Sequence, residues 1–232
     1  MRMTLRALAA LLGYPSEELK DNIGEVRSAM AAESALGPAM IQRLEPLLQS
    51  YETDDLLDLQ ADYSELFDRS RKLSLHLFEH VHGDNRERGQ AMIDLGGQYA
   101  SAGFFLETTE LPDFIPVFLE FCSGLPVEEA REMLDQPAHV FAALAERLDE
   151  RDKRFGAIFH AILAAADVRP GAEALAELQE NTPEDDPAKI DEEWEEAPVT
   201  FTSGGAHEMG GPTGVVAKIR AANRAVKTAI KG

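Results

Sequence analysis

The chain is poor in most of the features that carry chemistry. It has one cysteine, Cys122, in 232 residues. That excludes an internal disulfide and a thiolate metal cluster, and it fits a reducing cytoplasm. No His-Glu-x-x-His, phosphate-binding glycine loop, dinucleotide fingerprint or Gly-x-Ser-x-Gly elbow occurs, so the common hydrolase, nucleotide and zinc-protease signatures are absent. No run of about 18 apolar residues exists, so no membrane span is expected. The apolar run Ala7 to Leu12 is too short for an export signal and is closed by Gly13-Tyr14-Pro15. Cations are scarce: 22 Lys and Arg face 42 Asp and Glu, a net charge of −20. Phosphate backbones are repelled by such a chain, so nucleic acid is not an expected partner, whereas basic partners are attracted at long range.

Period-two alternation is lacking as well, and no Asn-Gly or Asp-Gly hairpin turn appears. Apolar residues instead recur every three or four positions. Leu5, Leu8, Leu11 and Leu12 make one stripe; Leu19, Ile23, Val26 and Met30 make another behind Ser16 as N-cap. Pro46 marks a kink or break within the stripe Met40 to Leu48, and Asp54 opens a helix carrying Leu59, Tyr63, Leu66 and Phe67. Met92, Leu95 and Tyr99 continue to Gly103, Pro112 suits the first turn of a helix over Phe114 to Phe121, and two further helices hold Phe141 to Leu148 and Phe155 to Leu163. Gly96-Gly97 lies inside a helical pattern and reads as a place of close helix packing. The short loops carry Gly or Pro, which implies antiparallel neighbours. The fold class is all-α: a compact antiparallel multi-helix bundle over residues 1–178.

Composition then changes. Residues 180–197 hold nine acidic residues, one lysine and the chain's single tryptophan, Trp194. Residues 179–211 therefore read as a flexible acidic and glycine-rich linker. Residues 212–232 read as a basic amphipathic helix, with Val215, Val216, Ile219, Ala222, Val226 and Ile230 on one face and Lys218, Arg220, Arg224, Lys227 and Lys231 elsewhere. Such a helix folds back on the acidic body, meets a partner, or touches an anionic membrane as an adaptor.

The densest chemistry lies between Ser74 and Asp94, SLHLFEHVHGDNRERGQAMID. His76 and His80 share a helix face, and Glu79-x-x-His82 is a single copy of a motif that a di-iron bundle needs twice. Two readings stand. One is a polar network tying a helix–loop–helix corner, with Arg69, Arg71, Arg86 and Arg88 bracketing the histidines and Asp68, Glu79, Asp84 and Glu87 close by. The other is a surface that receives a peptide or a cofactor phosphate through arginine, with His76, His80, His82 and Arg86 as candidates. A metal-dependent enzyme on Glu79, His80 and His82 is the rival function. Cys122, in the apolar run FIPVFLEFCSG, reads as a structural thiol.

The run Tyr63 to Arg69, YSELFDR, followed by LSLHLFEHVHGDNRERGQAMIDLGGQY, resembles the NarJ-type chaperones that assemble the molybdenum cofactor into respiratory nitrate reductase. ELPDFIPVFLEF, Glu110 to Phe121, resembles that family's variant of a Pro-Asp-His signature, with Phe114 where many relatives carry histidine; WEEAPVTF, Trp194 to Phe201, is similar too. The resemblance runs from Leu5 to Phe201 and is densest between Tyr63 and Phe121. It implies a helical cytoplasmic chaperone, not an enzyme and not part of the finished complex. It implies binding to the N-terminal segment of the apo catalytic (alpha) subunit while the molybdenum bis-guanine-dinucleotide cofactor and iron–sulfur clusters are inserted. No cofactor is held permanently, and no stable membrane association is expected. Pro112 and Asp113 carry the family signature. A groove for an amphipathic helix needs apolar anchors, and Tyr63, Phe67, Phe104, Phe105 and Phe118 are candidates, with plain core packing as the competing reading.

Overall fold

The computed structural model describes residues 1–82, 86–106, 110–171, 174–176 and 178, with the backbone alone for His82 and Arg86. The expected linker 179–211, the basic helix 212–232 and Trp194 lie outside the described residues. Eleven α-helices occur among them: α1 Arg2–Leu11, α2 Glu17–Asp21, α3 Ile23–Glu33, α4 Pro38–Thr53, α5 Leu56–Phe67, α6 Leu77–His82, α7 Arg86–Ser101, α8 Ile115–Gly124, α9 Val127–Asp135, α10 Ala138–Arg151 and α11 Lys153–Ala166. A 3-10 turn spans Arg71–Leu73. No strand is present among the described residues; His76 and Phe114 form an isolated antiparallel bridge. The all-α expectation holds.

Helix α11 is the centre. Phe155, Ile158, Phe159 and Ile162 are all buried in it, and it packs on α10, α4, α1 and α9. α10 and α11 are joined by Asp152 alone, whose carboxylate accepts from Arg154 N at 2.9 Å and caps α11. At Gly156 a Cβ would lie 2.5 Å from Asp149 Oδ1 and 3.3 Å from Ala145 O, so this glycine permits the closest approach of the two helices. Around them α1 packs on α8 and α3. Phe118, Phe141 and Phe159 follow one another at 6.5 and 6.3 Å between ring centres.

Local details depart from the sequence reading. The stripe Leu19–Met30 is split into α2 and α3 at Asn22, whose side-chain amide donates to Glu18 O at 2.8 Å and competes with the helical ladder. Ser16 caps α2 as expected, accepting from Leu19 N at 3.2 Å. α4 runs through Pro46 without a break. Asp54 ends α4, and it is Asp55 that caps α5, accepting from Leu57 N at 2.9 Å. Pro112 is not in the first turn of α8: that helix begins at Ile115 with Pro116 in its first turn.

α7 differs from the other long helices. Its principal helix neighbour is the six-residue α6, and it buries chiefly Leu95 and Tyr99. It ends at Gly103, where φ is +77°, with Phe104 N donating to Tyr99 O at 2.9 Å and Gly103 N to Ala100 O at 3.0 Å. Both bonds close the helix end around a left-handed residue that glycine adopts without strain.

Candidate functional site

Pro112 and Asp113 occupy the centre of a turn closed by Phe114 N donating to Leu111 O at 3.1 Å. Proline fixes the second position of such a turn. Asp113 is 0% exposed, and its bonds explain why a carboxylate is buried there. Its main-chain oxygen accepts from Leu77 N at 3.0 Å, its Oδ2 from Phe78 N at 3.1 Å and its Oδ1 from His76 Nδ1 at 3.1 Å. The aspartate therefore caps α6, a helix from a different part of the chain, taking two of the orphan amides of its first turn. Ile115 N donates to Leu75 O at 2.8 Å and completes the join.

The same corner absorbs most of the histidine-rich segment. The Asp113 carboxylate beside His76 raises the histidine above its usual range, although burial acts the other way. Burial holds His80 below its usual range, and its Nε2 donates to Ser74 O at 2.8 Å. Glu79 pairs with Arg88 of α7 at 3.1 Å. The His76 ring lies 5.3 Å from that of Phe114, so a histidine from another segment stands beside the position where the signature has one. Glu79 and His80 are thus committed to structural partners, and no group of three His, Cys, Asp or Glu able to hold a metal occurs among the described residues. The side chains of His82 and Arg86 lie outside them. Cys122 is buried, and burial pushes its thiol up to about 12, far from a thiolate at neutral pH.

The aromatic candidates separate into three groups. Tyr63, Phe67 and Phe118 are buried. Tyr63 and Phe67 meet Phe155 of the central helix edge to face, at 6.2 and 5.2 Å between ring centres, and Tyr63 OH donates to Leu12 O at 2.9 Å. Phe104 is half-buried against Tyr99 and Phe121, at 5.5 and 5.7 Å. Phe105 is 72% exposed.

An open groove of about 760 Å³ lies between α7 and the α8–α9 corner. α7 presents Ile93, Asp94, Gly97 and Ser101; the facing side presents Phe121, Leu125, Glu129, Glu132 and Met133. Phe121, Leu125 and Met133 make an apolar floor, while Asp94, Glu129 and Glu132 are exposed along the edges. No lysine or arginine lines it among the described residues. Gly97 leaves the wall open, since nothing lies within 4 Å of where its Cβ would be; the Gly96-Gly97 pair is not a helix-packing point. A second hollow, of about 570 Å³ beside α2 and the start of α5, is lined by three acids, Glu17, Asp54 and Asp55, with Thr53, Leu56 and Leu57, and its one cation among the described residues, Lys20, already donates to Asp54 O. The first groove has the anchors an apolar helix face requires. Sequence reasoning missed it: Ile93 and Met133 fall outside the apolar stripes named above, and an outward apolar residue in phase with Gly97 was the available signal.

A family model described as the nitrate reductase delta subunit matches residues 29–161. The nitrate reductase molybdenum cofactor assembly chaperone NarJ of Escherichia coli K12 is 41% identical over 195 residues, which is 84% of this chain and 83% of that protein. The NarJ protein of Bacillus subtilis 168 is 30% identical over 167 residues, 71% of this chain and 88% of the other. A crystal structure from Archaeoglobus fulgidus, described as a redox enzyme maturation protein, has a TM-score of 0.51 at 22% identity, covering 70% of this chain and 91% of that one; at that identity the likeness is one of fold.

Proposed function

Because this chain belongs to the nitrate reductase delta subunit family, we propose that it is an assembly chaperone, without catalytic activity, that serves the insertion of the molybdenum cofactor into a nitrate reductase. The observation that carries the reading is the groove between α7 and the α8–α9 corner: an apolar floor under Phe121, Leu125 and Met133, open to solvent and edged by three carboxylates. A maturation chaperone must hold a segment of its client reversibly, and this surface suits an amphipathic helix with a basic edge. Each large apolar anchor buried there contributes about 1.5–3 kcal/mol. The carboxylates speed encounter and favour a basic partner, less so as salt screens them.

The client segment we assign is the N-terminal stretch of the apo catalytic subunit, held in the cytoplasm while the bis-guanine-dinucleotide form of the cofactor enters, before the enzyme docks on the membrane. The chaperone leaves when the client is complete. Calorimetry of the full chain with a synthetic peptide of that N-terminal segment tests the reading. Micromolar or tighter binding is expected, and Met133→Glu should weaken it at least about tenfold, since a carboxylate is then forced against an apolar anchor, while the melting temperature stays within a few degrees. Absence of binding by the wild-type chain, together with normal nitrate reductase activity in cells lacking it, would overturn the assignment.

A further inference from the structure

We infer that the Leu111–Phe114 turn is the clamp that sets the width of the client groove, and that Asp113 and Tyr99 are positioning residues that never touch the client; the inference rests on the function proposed above. The two walls of the groove are α7 and α8–α9. The chain passes from the first wall to the second through residues 102–114, so this turn is the last joint between them. Four hydrogen bonds fasten α6 and α7 to it. Tyr99 OH donates to Pro112 O at 2.7 Å. Leu77 N, Phe78 N and His76 Nδ1 donate to Asp113 at 3.0, 3.1 and 3.1 Å. Gly96 lies directly under the same turn, its would-be Cβ 3.6 Å from the Pro112 ring.

Burial separates this role from a contact role. Asp113 is 0% exposed and Tyr99 1%, and neither lines the groove. On α7, Leu95 and Tyr99 are buried, whereas Ile93, Gly97 and Ser101 line the groove. Tyr99 also packs its ring on Phe121 of the groove floor, 4.3 Å between ring centres, a contact that Tyr99→Phe keeps; loss of the Tyr99 hydroxyl bond or of the Asp113 charge therefore reaches the client by letting the α7 wall move. Among the described residues α7 is held to α8 by the Tyr99–Phe121 ring contact, and its principal helix neighbour is α6, which hangs from Asp113 through its first-turn amides and is tied to α7 by the Glu79–Arg88 pair. Each lost bond lowers the fraction of molecules with the wall in place, and the apparent affinity falls in proportion to that fraction.

The test uses the full chain, the synthetic client peptide, calorimetry and amide exchange. Tyr99→Phe removes one hydroxyl and Asp113→Asn removes the charge at nearly constant volume. Both should raise the dissociation constant, roughly threefold for Tyr99→Phe and tenfold for Asp113→Asn. Both should speed exchange in 77–82 and 86–101 while leaving 138–166 unchanged, and saturating peptide should restore protection in 86–101. That restoration is the readout a general loss of stability would not give. Should Asp113→Asn fail to fold, Tyr99→Phe carries the test alone. Weaker binding with unchanged exchange in 86–101 would make these residues client contacts and overturn the inference; faster exchange with unchanged affinity would overturn it too. A wild-type chain that ignores the peptide sinks the functional reading, and the clamp falls with it.

Discussion

The α10–α11 pair and the α6–α7 pair are both two consecutive helices, yet they are held by opposite means. α10 and α11 are joined through Asp152, brought together at Gly156, and packed through residues such as Phe141, Leu144, Phe159 and Ile162, all 0% exposed. Their association is a matter of volume and apolar area. α6 and α7 bury much less: a neighbouring turn takes the first amides of α6 and the Tyr99 hydroxyl of α7, and the Glu79–Arg88 ion pair joins the two helices. Packing of the first kind is stiff, because removing or adding a methylene is felt throughout a dense interior. Attachment of the second kind is local and reversible in small steps. A chaperone needs both, a body that does not yield and a wall that can.

The contrast is easiest to break by truncation. Phe159→Ala removes a fully buried ring at the centre and should cost about 3–5 kcal/mol, lowering the melting temperature by roughly 10 °C or more. Ile93→Ala, at a residue 69% exposed on α7, should cost under about 0.5 kcal/mol while weakening client binding. Thermal unfolding of the two variants decides the matter: comparable losses would mean that α7 is as much part of the core as α11.

Two glycines sharpen the same contrast by sign. Gly156→Ala places a Cβ 2.5 Å from Asp149 Oδ1, an atom that cannot simply turn away because the carboxylate also accepts from Arg43 and His160 at 2.9 Å. Overpacking at that point should cost about 1–3 kcal/mol. Gly97→Ala meets nothing within 4 Å, so α7 should gain up to about 1 kcal/mol from helix propensity, at the expense of a methyl group in the groove and a few-fold loss of affinity. Melting temperature and peptide titration on the same samples read both effects; destabilisation by Gly97→Ala would show that the wall is packed and the groove is not open.

The packed region was the legible one. Three- and four-residue spacing gives α1, α5, α10 and α11 from the sequence, because each buries a continuous stripe whose period is visible in the letters. The cap of α2 by Ser16 was legible for the same reason, since donor and acceptor are three residues apart. What was not legible is the bond between Asp113 and the amide of Phe78, 35 residues away. Nothing local distinguishes an aspartate that caps its own helix from one that caps another, so Pro112-Asp113 read as the start of α8. The aromatic candidates failed to mark the groove for a related reason: spacing shows that Tyr63, Phe67 and Phe118 lie on apolar faces, but only packing shows that those faces are covered. The groove is built in part from residues that break the stripes, such as Ile93 and Gly97, and its second wall comes from the α8–α9 corner.

The smallest expected effect is a local pH profile at the corner, and it separates the two regions without altering the fold. His76 and His80 shift in opposite directions within one five-residue span. The Asp113 carboxylate chiefly raises His76, with burial opposing it, Glu79 assisting and Arg88 opposing. Its stabilisation is fully present below the ordinary histidine value of 6.5 and is lost as pH rises through its higher folded value. Burial chiefly lowers His80, with Arg147 assisting and the Ser74 carbonyl, Glu79 and Asp113 opposing. Its contribution is present above 6.5 and is lost as pH falls through its lower folded value. The two losses lie on either side of 6.5, so the corner should hold most tightly near that pH. Amide exchange at Leu77 and Phe78, corrected for the intrinsic rate, should be slowest there. His76→Gln should flatten the alkaline limb and His80→Gln the acid limb. Amides of α11, far from both rings in the hydrogen-bond network, should show neither limb, and finding the same profile in 153–166 would mean that the corner and the core open as one unit.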